Sequence, residues 1–212
     1  MNSARIAYLV KKDLTVFNLY FISISLLMLV VSMFIIVANT NMIQIFAGSG
    51  SSIAIIAIYT FMLERKTASA WAHIASLPVT RAEINTARYI SVLLISATNL
   101  ILWVLSYHAI LYFAIESPEH TASVSVIVFA FMNMLIYLGV YFIFYYRVNN
   151  IAIMLVYIIP VLVLNFMNPG ETSFSEYIVN DGFRFWVFCS CSLLLFIGSY
   201  VYSNHYFKNK AL

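Results

Sequence analysis

The sequence predicts an all-α membrane protein with six transmembrane helices and both termini in the cytoplasm. The chain is 63% hydrophobic and 9% charged, with a mean hydropathy of +0.94, whereas about 25% of the residues in a soluble domain are charged. No charged side chain occurs between Asp13 and Glu64, and four further long charge-free runs follow. These runs are continuously apolar and do not alternate, which favours helices over a β-barrel. We therefore expect a single transmembrane domain over residues 1–212.

The first predicted element is an interfacial helix over residues 1–15. Its basic residues, Arg5, Lys11 and Lys12, can turn towards lipid headgroups while the opposite face enters the membrane surface. That apolar face is expected to consist of Ile6, Leu9, Val10, Leu14 and Phe17.

Six spans follow, because a membrane-crossing helix needs roughly 20 mostly apolar residues. The first charge-free run is long enough for two spans, and Asn39-Thr40-Asn41 interrupts it. The fifth span is the shortest and contains Pro160, which indicates either a kinked helix or a following segment that re-enters the membrane. An outer loop over residues 168–184 precedes the last span. We place the spans at Phe17–Val37, Met42–Met62, Tyr89–Phe113, Ala122–Tyr145, Ile151–Met167 and Phe185–Ser203.

The longest segment on the inner side is residues 63–88, between the second and third spans. It contains a predicted short helix that carries Trp71, Ile74 and Leu77 on one face. Pro78 ends this helix. The apolar face either binds a partner protein or rests on the lipid surface.

A second helix is expected to begin directly after this short helix. The sequence Thr80-x-x-Glu83 forms a capping box, in which the two side chains satisfy each other's backbone N–H groups. The helix that starts there carries Arg88 at the membrane edge and continues into the third span.

The basic residues predict the orientation of the chain. If six spans alternate, ten of the eleven Lys and Arg residues lie on one side of the membrane, and Arg184 alone lies on the other. Short loops rich in Lys and Arg stay in the cytoplasm, so both termini are placed there. These anchors also account for the net charge of +3, and no nucleic-acid partner is expected.

The segment after the second span resembles a known family of membrane proteins. The features are Glu64 just past the span, a short helix with Trp71, the stretch Ser76-Leu77-Pro78-Val79-Thr80-Arg81-x-Glu83-Ile84, and Arg88-Tyr89 at the entry to the third span. Together with six spans, inner termini and an amphipathic N-terminal segment, they resemble the ABC-2 type permeases, the membrane subunits of bacterial ATP-binding-cassette exporters. The chain departs from many relatives in having no Gly over residues 64–76 and a small outer loop before the last span.

The resemblance implies a function and a set of partners. It makes the short helix a coupling helix that docks on a separate ATPase subunit, and the N-terminal segment a connecting helix along the inner leaflet. ATP and Mg would be bound by that ATPase, and a second permease copy, as a homodimer or a paired permease, would complete the transporter. The cargo would be hydrophobic or amphipathic, such as a peptide toxin, a bacteriocin or a lipophilic antibiotic, moved out across the bacterial cell membrane. The coupling role maps onto Trp71, Ile74, Leu77 and Pro78.

Two absences in the sequence agree with a transport subunit that receives its energy from another protein. No Gly-x-x-x-x-Gly-Lys phosphate loop occurs, so no cofactor and no ATPase activity are expected in this chain. No Asp, Glu, Lys or Arg lies inside a predicted span, whereas ion-coupled transporters usually carry such a residue.

An intramembrane serine-type protease is the alternative function. Ser49 and Ser51 lie in the sequence Gly48-Ser49-Gly50-Ser51-Ser52, and His108 could act as a base. Close packing of helices explains such Gly and Ser residues better.

The four His residues fall on both sides of the membrane, so no metal site is expected. Cys189 and Cys191 are interpreted as small apolar residues of the sixth span.

Amide side chains inside the spans are the candidate pathway or packing residues. An amide is costly to expose to lipid, so these residues are expected to face protein. They are Asn99, Asn133 and Asn165.

Overall fold

The computed structural model describes the chain in five helices and two isolated positions. The described residues are 2–15, 54, 58, 79–114, 123–145 and 174–209. All regular structure among them is α-helical, as predicted. We label the helices α1 (3–15), α2 (Arg81–Ala114), α3 (Val124–Tyr145), α4 (Phe174–Val179) and α5 (Gly182–Asn209).

Three of these helices are long and apolar enough to cross a membrane. They are α2, α3 and α5, and they coincide with the predicted third, fourth and sixth spans. Ala54 and Ile58 are helical and buried within the predicted second span. The rest of that span, all of the first and all of the fifth lie outside the described residues, so the count of six and the cytoplasmic termini stay predictions.

Side-chain caps determine where α2 and α5 begin. Thr80 N–H donates to Glu83 Oε2 at 2.9 Å, and Glu83 N–H donates to Thr80 Oγ1 at 3.3 Å, which confirms the predicted capping box. At α5, the Asp181 carboxylate accepts from the N–H groups of Phe183 at 3.0 Å and Arg184 at 3.3 Å. This cap explains why α5 begins at Gly182, before the predicted start of the span at Phe185.

Helix α3 is the centre of the described bundle. Its residues Ala130, Met134, Leu138 and Tyr141 repeat at helical spacing and are fully buried. At one end, Phe129 of α3 stacks on Phe188 of α5 with ring centroids 4.8 Å apart. Near that end, the short helix α4 places Ile178 in the same apolar cluster.

At the other end of the bundle, Tyr89 joins the three long helices. Its ring stacks on Phe142 of α3 at 3.9 Å and meets Phe196 of α5 edge-on at 5.4 Å. Helices α3 and α5 are therefore parallel to each other and antiparallel to α2.

Gly139 marks the close approach of α3 and α5. A Cβ atom at this position would collide with the side chain of Leu195 and would lie 3.4 Å from the Cα atom of Phe196. A larger side chain would therefore separate the two helices. At Gly198 of α5, by contrast, a Cβ atom would meet nothing within 4 Å.

We expect Gly139→Leu to destabilise the bundle by about 1–3 kcal/mol, the usual penalty for overpacking. The measurement is denaturant unfolding of the purified chain in micelles, and Gly198→Leu is the matched control because it adds the same side chain in open space. Equal stability of the two variants would contradict the assigned crossing.

The outward faces of the long helices are apolar. On α5, Trp186 is 70% exposed and Leu194 is 69% exposed, and on α2, Leu105 is 61% exposed. A monomer in water rarely exposes a continuous apolar surface of this kind. The described helices are thus built for contact with lipid or with another membrane protein.

Candidate functional site

The structure covers two of the seven predicted site residues. Asn99 is half-buried on α2 and donates from Nδ2 to the Ile95 carbonyl at 3.1 Å. Asn133 is buried on α3. Both therefore turn at least partly towards protein, and a role in a transport pathway stays a prediction. The others, Trp71, Ile74, Leu77, Pro78 and Asn165, lie outside the described residues.

The geometry of His108 gives no support to a protease. Its Nδ1 donates to the Val104 carbonyl of its own helix at 2.9 Å, and its ring meets Tyr107 edge-on at 5.6 Å. Ser49 and Ser51 lie outside the described residues. Within the described ranges, no group of three His, Cys, Asp or Glu side chains could hold a metal ion.

Several polar side chains form a hydrogen-bond network between the start of α2 and the end of α5. Asn85 Nδ2 donates to Ser203 Oγ and to Asn204 Oδ1, each at 2.9 Å. One turn further along α2, the Tyr89 hydroxyl shares a hydrogen bond with Ser199 Oγ at 3.0 Å and accepts one from Ser203 Oγ at 3.3 Å. These contacts tie the two helices together at one end.

A further contact extends this network. Thr86 Oγ1 and the Tyr200 hydroxyl share a hydrogen bond at 2.9 Å, and the Tyr200 ring also meets Tyr89 edge-on at 5.2 Å. Hydropathy and charge did not predict this network. The available signal was the four-residue spacing of Asn85 with Tyr89 and of Ser199 with Ser203, which places each pair on one face of its helix.

Helix α1 packs against the α2 base, which we define as residues 79–91. Leu9 is buried in the same apolar cluster as Ile84 and Ala87, and the half-buried Ile6 and Val10 pack against that cluster. At the start of α1, the Asn2 N–H donates to Glu83 Oε1 at 2.7 Å, while the Asn2 side chain accepts from the Ala4 N–H at 3.0 Å and caps the helix.

The side of α1 that packs on α2 includes a charged residue that the predicted apolar stripe did not contain. Asp13 is buried, and Ser91 Oγ donates to its carboxylate at 3.1 Å. Leu14, predicted to belong to the apolar stripe that enters the membrane surface, is 37% exposed, and such a position can contact lipid. Lys12 is half-buried and lies 3.8 Å from the Asp13 carboxylate instead of turning away to headgroups. Polar partners on α2 and Lys12 explain why Asp13 occupies the protein-facing side, and Phe17 lies outside the described residues.

Long apolar helices, an apolar outer surface and interhelical polar contacts define a multi-pass α-helical membrane protein. Over residues 8–208 the chain matches the family described as ABC-2 family transporter protein, and it belongs to that family. No curated protein and no solved structure matches the chain. The match confirms the resemblance to ABC-2 type permeases and fits a multi-pass protein of the cell membrane.

Proposed function

We propose that this chain is the membrane-spanning permease subunit of an ATP-driven exporter that is powered by a separate ATPase subunit. The observation that carries the proposal is the family match over residues 8–208, which includes every predicted span and the inner segment 63–88. The sequence has no phosphate loop of its own, so ATP and Mg would be held by the partner.

The α2 base supports the proposed route of coupling. Trp71, Ile74, Leu77 and Pro78 would contact the ATPase, and the Thr80–Glu83 capping box starts a continuous helix of 34 residues directly after them. A displacement of the coupling segment would reach α2 at its first turn. The polar network from Asn85 to Tyr89 would then pass the displacement to α5.

A second permease copy and an apolar cargo complete the proposal. The outward apolar faces of α2 and α5 suit either lipid or another permease, so a homodimer or a paired permease is compatible with them. The cargo class is a hydrophobic or amphipathic compound, such as a peptide toxin, a bacteriocin or a lipophilic antibiotic. This part rests on analogy with the family.

The proposal predicts that the chain captures an ATPase but does not hydrolyse ATP. The ATP-binding-cassette ATPases of the source genome would each be co-expressed with the tagged chain, and one should co-purify and turn over ATP in the complex. The purified chain alone should show no turnover above that of a mock preparation. ATP hydrolysis by the chain alone, or failure of every such ATPase to bind, would refute the assignment.

A further inference from the structure

The carboxylate of Glu83 is shared between two helices. Oε2 accepts from the Thr80 N–H at 2.9 Å and completes the cap of α2, whereas Oε1 accepts from the Asn2 N–H at 2.7 Å. Glu83 is 2% exposed. In an ordinary capping box the acidic side chain serves only its own helix, so the contact with Asn2 is an additional function of this residue.

Helix α1 lies along the α2 base and points in the same direction. Its start contacts Glu83, and its far end contacts Ser91 through Asp13. With a rise of about 1.5 Å per residue, these contacts are about 16 Å apart along α1 and about 12 Å apart along α2. Leu9, between these contacts, is buried in the apolar cluster that also contains Ile84 and Ala87 of the α2 base, so α1 has contacts at both ends and an apolar anchor in the middle.

We propose that Glu83 is a positioning residue that docks α1 on the α2 base, beside the predicted ATPase-coupling segment. Docking through Glu83 makes α1 part of the inner apparatus that receives the movement of the ATPase. The role in coupling rests on the proposed function, whereas the docking itself does not.

Two substitutions separate docking from capping. Glu83→Gln keeps the size of the side chain, but its amide has a single acceptor oxygen, because the NH₂ group only donates. With the side chain in the same position, the amide NH₂ group would face one of the two N–H donors, and that donor would lose its acceptor. Thr80→Val removes the hydroxyl that accepts from the Glu83 N–H and leaves both carboxylate contacts in place, so it is the matched control.

The first measurement is hydrogen–deuterium exchange of the full chain in micelles. A helix as short as α1 is marginal by itself in water, so undocking should expose its amides. A hydrogen bond to a charged group contributes enough that its loss should speed exchange over residues 3–15 by about 10- to 100-fold. We expect that increase in Glu83→Gln, with exchange in α3 unchanged, and no increase in Thr80→Val. Glu83→Ala removes both acceptor oxygens, so it covers the case in which the glutamine amide keeps the contact with Asn2. Unchanged exchange of α1 in both Glu83→Gln and Glu83→Ala would overturn the docking role, and so would an equal increase in Glu83→Gln and Thr80→Val.

The second measurement uses the complex with the co-purified ATPase. Glu83→Gln should retain the ATPase as wild type does and lower ATP turnover of the complex at least about fivefold, which corresponds to about 1 kcal/mol. A merely structural defect would reduce binding and turnover together, as we expect for Gly139→Leu. Normal turnover in Glu83→Gln would overturn the coupling role. If wild type captures no ATPase, the proposed function fails while the exchange result still decides whether Glu83 docks α1.

Discussion

Replacing Trp71 with Ala is expected to reduce the association of the chain with its ATPase by about 30- to 1,000-fold. A buried Trp at the centre of an interface contributes on the order of 2–4 kcal/mol, which corresponds to that range of affinity. The Trp71→Ala substitution should leave expression and membrane insertion near normal, because Trp71 lies outside all six predicted spans. The measurement is quantitative pull-down of the ATPase, with titration against the purified chain.

The structure identifies the proper control for this experiment. Trp186 is 70% exposed on α5, so Trp186→Ala removes the same side chain without opening the bundle. Trp103 is unsuitable, because it is buried and stacks on Tyr107 with ring centroids 5.8 Å apart. If the short helix only rests on lipid, Trp71→Ala and Trp186→Ala will capture the ATPase equally well. That result would remove the residue-level support for a coupling helix over this segment.

Hydropathy and charge predicted which segments span the membrane. The gaps between charged residues placed the third, fourth and sixth spans, and the Thr80–Glu83 pattern placed the start of α2. These features are local, because each depends on the composition of one stretch or on side chains within one turn. The start of α5 was placed three residues late because the capping role of Asp181 was not considered.

The face that each helix turns towards protein was harder to predict. Lipid tails and a protein interior are similarly apolar, so hydrophobicity does not distinguish them within a membrane. The predicted stripe of α1 contained only apolar residues, whereas Asp13, four residues after Leu9, is also buried and accepts a hydrogen bond from Ser91 of α2.

The polar network between α2 and α5 could not be predicted from the sequence. Its members are mainly single Ser and Tyr residues, which are common in spans and carry little signal, and Asn85 was assigned to the inner segment before the third span. The bonds of the network join residues more than one hundred positions apart in the chain. Only the antiparallel packing of α2 and α5 brings these side chains together.

Tyr89 is the residue of the network whose loss should weaken the bundle most. Its ring contacts Phe142, Phe196 and Tyr200, and its hydroxyl bonds to Ser199 and Ser203. Tyr89→Ala removes both sets of contacts and leaves a cavity where α2, α3 and α5 meet. Truncating a large buried aromatic destabilises a protein by up to about 3–5 kcal/mol, and we expect a loss of that order in denaturant unfolding of the purified chain in micelles.

A second substitution distinguishes the ring from the hydroxyl group. Tyr89→Phe keeps the stacking and removes only the hydrogen bonds, which contribute about 0.6–1.7 kcal/mol each between membrane helices. We therefore expect a much smaller loss than in Tyr89→Ala. Tyr112→Ala is the surface control, since Tyr112 is 83% exposed on α2 and such changes usually stay within about 0.5 kcal/mol. If Tyr89→Phe proves as damaging as Tyr89→Ala, the hydrogen bonds and not the ring hold α2 against α5. If Tyr89→Ala matches Tyr112→Ala, the assigned meeting point of the three helices is wrong.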